Sequence, residues 1–224
     1  MYRNEFKYVI NPHHKNTMAD KLSKICQRDS HSDADGGYLV SSLYFDDYDQ
    51  SALIDKLSGI RDRKKFRVRV YNHQTNVIKL ERKEKRDYLT QKSHIQLSKE
   101  EYDALVSGDA VFLRDKENVV AKDFYLRYQT KNLRPRVVVE YYREAYVYRY
   151  GDVRISFDSL LKAGVFNNDL FCNGYMIPAI PHDQIILEVK YTGYLPDNIR
   201  SIIQTNILHW QSCSKYVLCC LAGM

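Results

Sequence analysis

The chain has no long apolar run, few glycines and prolines, and no patterned cysteines, and each shortage removes a class of protein. No stretch reaches the roughly 18 uninterrupted apolar residues of a membrane-spanning helix. The N-terminus passes directly into strand-like sequence, NEFKYVI, with no apolar leader. Five cysteines, Cys26, Cys172, Cys213, Cys219 and Cys220, form neither a C-x-x-C pair nor a His-bracketed zinc spacing. An odd, unpatterned set reads as reduced thiols, and together these absences predict a soluble cytoplasmic protein. With 9 glycines and 5 prolines in 224 residues, neither G-x-x-x-x-G-K-[ST] nor G-x-G-x-x-G occurs. A cradle of backbone amides for phosphate is thereby excluded, and any phosphate must be held by side chains. No low-complexity linker or fixed-period repeat divides the chain, which predicts one domain over residues 1–224. The excess of positive charge is also small, +6 from 34 basic and 28 acidic residues, so a basic site has to be local.

What is present is an alternation. Glu5-Phe6-Lys7, Glu81-Arg82-Lys83 and Glu188-Val189-Lys190 each lie in a strand-like run. Residues two apart in a strand share a face, so each run sets a carboxylate beside an ammonium. In KFRVRVY, Lys65, Arg67 and Arg69 fall on one face and Phe66, Val68 and Val70 on the other, and VRISFD alternates likewise. A half-wet antiparallel sheet collects such charges for solubility alone. Repetition over five strands, with cations in excess, instead suits a polyanion held with a metal ion. If the sheet closes, the ionic faces converge inside it, with Phe6, Phe66, Val68, Leu80, Ile155 and Val189 packing outward under helices. Arg serves phosphate through two parallel hydrogen bonds and Lys as a point charge.

Nineteen tyrosines, many in strand runs, are read as packing residues rather than as a base-stacking platform. Helices are predicted from Asn11-Pro12 through Met18, Leu22 and Ile25, over residues 49–57, after the capping box Ser98/Glu101 to Gly108, over 116–131, and after Pro196 with Ile199, Ile202, Ile203 and Ile207 on one face. Strands are predicted over 38–46, 64–71, 77–85, 91–97, 136–150, 153–158 and the IILEVKY run, with 163–183 an irregular excursion. The fold class is therefore α+β, a mainly antiparallel barrel with helices packed outside.

The ordered series EFKYVI, SSLYFD, DKLSG, KFRVRVY, LERKEK, PRVVVEYYREAY, VRISFD, LEVKY and SKY resembles the VTC domain, the polyphosphate polymerase family among the triphosphate tunnel metalloenzymes. The resemblance runs from Glu5 to Tyr216. It implies a barrel lined by basic residues and glutamates, with Lys7, Arg67, Arg69, Lys83, Arg154 and Lys215 as catalytic phosphate ligands. Lys56, Arg143 and Lys190 would add substrate-binding charge, and Glu188 would be the carboxylate for Mn²⁺ or Mg²⁺. Glu5 and Glu81 are either further metal ligands or partners of Lys7 and Lys83. The implied activity moves the γ-phosphate of ATP onto a polyphosphate chain, with no nucleic acid as partner. The hydrolytic relatives' E-x-E-x-K signature is missing, since Arg3 stands where its first glutamate would lie. A hydrolase of the same fold and a non-catalytic polyphosphate-binding module remain the alternatives, and RNA binding is a weaker one.

Overall fold

The computed structural model describes residues 4–87, 89–164, 167–172, 174–204 and 213–223. Among them lie ten strands and six α-helices. Contacts divide the chain into two compact units. The first takes residues up to Leu39, Tyr141–Leu161 and Ile180–Ser214; the second takes Val40–Glu140, Lys162–Ala179 and the segment from Lys215.

In the first unit, β1 (Asn4–Ile10) pairs antiparallel with β10 (Ile185–Tyr191), and β10 pairs antiparallel with β8 (Val153–Gly164). A two-residue strand that the sequence reading missed, β2 (Gln27–Arg28), pairs with β7 (Arg134–Tyr148). Helix α1 (Pro12–Leu22) opens as its sequence directs: the Asn11 side chain accepts from the backbone N–H of His14 and proline stands at the first turn. Its Met18 and Leu22, with Ile199 and Ile203 of α5 (Asp197–Ile203), cover Ile155, Leu187 and Val189. Burying each such aliphatic side chain contributes about 1.5–3 kcal/mol. Phe6 departs from its expected packing. It is 37% exposed and stacks on Tyr191 at 6.0 Å. Ile25 falls beyond α1 and is exposed, and Ile207 lies outside the described residues.

In the second unit the strand order is β7, β3 (Tyr38–Asp46), β4 (Arg63–Tyr71), β5 (Ile78–Arg86), β6 (Leu89–Leu97). Helices α3 (Lys99–Ser107) and α4 (Val119–Lys131) cover its apolar face, where Phe124 meets the ring edges of Phe45 and Phe66. Phe66, Val68 and Leu80 are fully buried there, as the alternation required. The capping box of Ser98 and Glu101 forms, and Gly108 ends α3 at a φ of +90°. Only a residue without Cβ adopts that angle cheaply.

Two differences from the sequence reading have clear causes. The strand beginning VRISFD runs on to Gly164 and pairs with β9 (Met176–Pro178), so part of the expected excursion is sheet. Leu160, at a φ of +53°, interrupts the alternation that would have marked the extension. The second is a C-terminal helix, α6 (Lys215–Ala222), buried along Tyr216, Cys219 and Cys220. The helical spacing of Tyr216, Cys219 and Cys220 marks it in the sequence, where it was not read as an element.

Candidate active site

Helix α2 (Ser51–Leu57), which carries Lys56, is capped from the preceding strand. Its formal N-cap, Gln50, is left-handed and gives no side-chain bond. Asp46 instead accepts from Ala52 at 2.9 Å and Leu53 at 3.2 Å, while Asp47 accepts from Ser51 at 2.8 Å. Tyr216 donates its hydroxyl to Asp46 at 2.5 Å and stacks on Tyr44 at 4.9 Å. The YFD and SKY motifs thus hold each other, and Asp46 of the first caps the helix that carries DKL.

The register of β3 to β6 composes the ionic face. Tyr44, Arg67, Glu81 and His94 stand abreast, as do Ser42, Arg69, Lys79 and Gln96. The next row is Lys65, Lys83 and Lys92, three lysine side chains in line across neighbouring strands, with Arg63 opposite Lys85 beyond it. Like charges placed directly opposite destabilise a sheet. Glu81 is the one carboxylate among these positions of β4, β5 and β6. It is 1% exposed, 2.7 Å from Arg67 Nε and 2.5 Å from Lys92 Nζ. Burial alone would raise its pKa, yet Arg67, Arg69 and Lys92 outweigh that and hold it well below the usual carboxylate range. Arg67 also donates to the Tyr44 hydroxyl at 2.7 Å, and Arg69 Nε to Ser42 at 3.0 Å. Both guanidinium groups are therefore fixed in advance. Glu81 joins Arg67 and Lys92 across the neighbouring strands.

The first unit builds a second ionic cluster around Glu188. Lys7 stands opposite it on β1, Ser156 opposite it on β8, and Lys190 opposite both Glu5 and Arg154. Lys7 Nζ is 3.1 Å from Glu5 and 3.6 Å from Glu188; Lys190 and Arg143 approach Glu188 at 3.2 and 3.1 Å. Burial opposes the charge on Lys7, but Glu188 and Glu5 override it and raise the pKa. Arg143 is fixed by a bidentate pair, 2.6 and 2.7 Å, to the fully buried Asp158. Arg154 is held by Asp29 at 2.5 Å and by the Tyr38 hydroxyl at 2.7 Å. Lys7, Arg143, Arg154, Lys190 and Glu188 are thus brought together in this unit, and Arg67, Arg69 and Lys83 in the other. Lys215 opens α6, 8% exposed, next to the Tyr216 that stacks on Tyr44. Lys56 sits half-buried in α2, close enough to repel Lys65.

Lys65, Lys92, Asp29 and Asp158 carry much of this geometry and were not singled out as site residues from the sequence. Lys65 and Lys92 follow from continuing the alternation once β5 and β6 are paired. Asp29 has no such signal, because its partner Arg154 is remote in sequence.

The family model of the VTC domain matches residues 2–222. The chain belongs to the VTC domain family. No curated protein sequence matches it. Among solved structures it is similar to a Hippeastrum protein described as a candidate adenylyl cyclase with a dominant triphosphatase activity. Identity is 11% over 97% of this chain and 94% of that one, with a TM-score of 0.56. Candidate adenylate cyclases from Vibrio parahaemolyticus (TM-score 0.51, 10% identity, 97% of each chain) and Bacillus halodurans (0.50, 15%, 86% of this chain and 83% of that one) share the architecture. At such identities the likeness concerns fold, and that fold is the triphosphate tunnel.

The tunnel family implies a divalent metal, and the donors around Glu188 fit one. Among the described residues no group of three or more His, Cys, Asp or Glu could hold a metal by itself. Glu188 and Glu5, however, flank one point, and the Lys7 ammonium already sits there as a cation. A hard cation that takes one or two carboxylates and draws its remaining oxygens from phosphate needs no more from the protein. No helix among the described residues is long and apolar enough to cross a membrane.

Proposed function

We propose that this VTC domain is a metal-dependent phosphotransferase that moves the γ-phosphoryl group of ATP onto the end of a polyphosphate chain. The observation that carries the reading is the row Lys65, Lys83 and Lys92 beside Arg67 and Arg69. Such a concentration of lysine and arginine on one face suits a polyanion. Phosphoryl transfer spreads negative charge over the oxygens of the migrating group, and catalysis consists largely of positioning and neutralisation. Arg67 and Arg69, locked by Tyr44, Glu81 and Ser42, would present their planar forks to phosphate oxygens without reorganising. Arg154 and Lys7 would serve phosphate likewise, and Lys215, Lys56, Arg143 and Lys190 add charge. No side chain is required as a nucleophile. Glu188, with Glu5, would hold Mn²⁺ or Mg²⁺, whose contribution is to bridge and neutralise phosphate oxygens.

A second reading is a triphosphate hydrolase, favoured by the triphosphatase activity stated for the Hippeastrum protein. Incubation with ATP and Mn²⁺, followed by electrophoresis for polymer and an assay for orthophosphate, separates the two. Polymer supports transfer. Orthophosphate alone supports hydrolysis, and neither product, with tight polyphosphate binding, supports a binding module.

A further inference from the structure

The Nζ atom of Lys65 is buried and has no hydrogen-bond partner among the described residues. Its contact is the ring face of Tyr216, 4.4 Å from the centroid. A buried ammonium lacking hydrogen bonds is unfavourable, so such a group needs either a counter-ion or the loss of its proton. The charged groups around it are mostly cationic. On its own strand Arg63 stands two residues away, and Lys83 lies opposite on β5. From α2 comes Lys56, and from α6 come the Tyr216 ring and Cys220. Asp46, the carboxylate that faces it from the end of β3, already accepts from the backbone N–H groups of Asp47, Ala52 and Leu53 and from the Tyr216 hydroxyl.

We propose that Lys65 is a proton-coupled phosphate ligand: retracted under Tyr216 as the neutral amine, it takes a proton from solvent and joins the row of Lys83 and Lys92 when a phosphate oxyanion docks. One N–H bond forms on Nζ as the buffer acid's bond to that proton breaks, leaving its conjugate base, and no other covalent bond changes. The inference deepens the reading of this face as the phosphate site and rests on it. Burial, followed by repulsion from Arg63, pushes the Lys65 amine down to about 7, with Asp46 offsetting part of that. At neutral pH the retracted form is therefore accessible at little cost. The flexible four-carbon stem lets the same residue reach outward once charged. Arg could not serve this role, since it does not release its proton in this pH range.

A ligand-free check comes from stability. The folded-state proton affinity of Lys65 lies below its ordinary value of 10.5, so between about pH 7 and pH 10 the unfolded chain binds more protons than the folded one. Stability from this group accordingly rises with pH through that window and is lowest below it. Lys65→Met is expected to melt above wild type at pH 6, with the gap closing towards pH 10. A constant gap at both pH values contradicts a neutral Lys65.

The decisive experiment follows the lysine ¹³Cε resonances against pH in the whole chain, with Lys65 assigned by Lys65→Arg, in the absence and presence of saturating tripolyphosphate. The free protein is expected to show a Lys65 midpoint near 7, moving up by at least about 2 units when tripolyphosphate binds. Calorimetry at pH 8 in buffers of different ionisation heat is expected to show close to one more proton taken up by wild type than by Lys65→Arg. A free midpoint in the ordinary lysine range overturns the inference. So does tripolyphosphate that binds without moving the midpoint, which leaves the phosphate site itself standing. A low free midpoint with no tripolyphosphate binding overturns the phosphate site and this inference with it.

Discussion

Arg67 and Glu81 face each other across β4 and β5, Nε to Oε2 at 2.7 Å, and the same carboxylate reaches Lys92 at 2.5 Å from the other side. Glu81 is thus the clasp of an otherwise cationic face. Glu81→Gln keeps the shape and removes the charge, leaving Arg67 and Lys92 without their shared counter-ion. The expected result is a loss of about 1–3 kcal/mol in urea denaturation. The pH dependence follows from the direction of the shift. A carboxyl group whose folded pKa lies below its unfolded value of 4.5 adds stability above that value and loses it as pH falls. Wild type is therefore expected to converge on Glu81→Gln as pH is lowered from 6 towards 2, and parallel curves over that range would contradict the assignment.

Tyr216→Phe is expected to destabilise the chain by about 1.5–3 kcal/mol, the range for a hydrogen bond to a charged group. The change deletes the donor to Asp46 but preserves the stacking on Tyr44. Thermal melts monitored by circular dichroism measure the effect. Because Asp46 also caps α2, amide exchange at Ala52 and Leu53 should accelerate in the same variant. Unchanged exchange would show that the strand alone fixes Asp46.

Much of this arrangement was legible from alternation. The period of two assigned Arg67, Arg69, Lys83 and Glu188 to one face and Val68, Leu80 and Val189 to the other, because a strand has only two faces and one of them must be apolar. Capping rules likewise located α1 and α3 from Asn11 and Ser98. The partners that fix these side chains were not legible. Asp29 under Arg154, Asp46 under Tyr216 and Asp158 under Arg143 depend on which strands and helices become neighbours, and a local pattern carries no such information. The three-lysine row needed the β5–β6 register, which pairs Lys83 with Lys92. Phe6 was misjudged for the complementary reason: alternation assigns a face, but it does not say whether a helix will cover it.

Glu188→Gln is expected to lower Mn²⁺-stimulated transfer from ATP by at least about 100-fold, roughly 2.7 kcal/mol of barrier. Grip should respond differently. The native carboxylate engages Lys7, Arg143 and Lys190, so removing its charge frees cations for phosphate, and metal-free tripolyphosphate binding is expected to hold or tighten. Product assays with and without Mn²⁺, beside calorimetric titration of the apo protein, report both quantities. Full activity in Glu188→Gln would move the metal to another carboxylate, with Glu5 the next to substitute.

The central claim is that the ionic strand faces grip a chain of phosphates rather than a base or a sugar. The most direct measurement is calorimetric titration of wild type and Arg69→Ala with tripolyphosphate, ATP and adenosine at one fixed salt concentration. Arg69 is 6% exposed and fixed to Ser42, so the alanine variant removes a positioned guanidinium. Wild type is expected to bind tripolyphosphate, to release ATP in its presence and to give no heat with adenosine, while Arg69→Ala binds tripolyphosphate about 10-fold or more weakly, the equivalent of about 1.5–3 kcal/mol. Measurable adenosine binding, or identical tripolyphosphate affinity in the two proteins, would contradict the account.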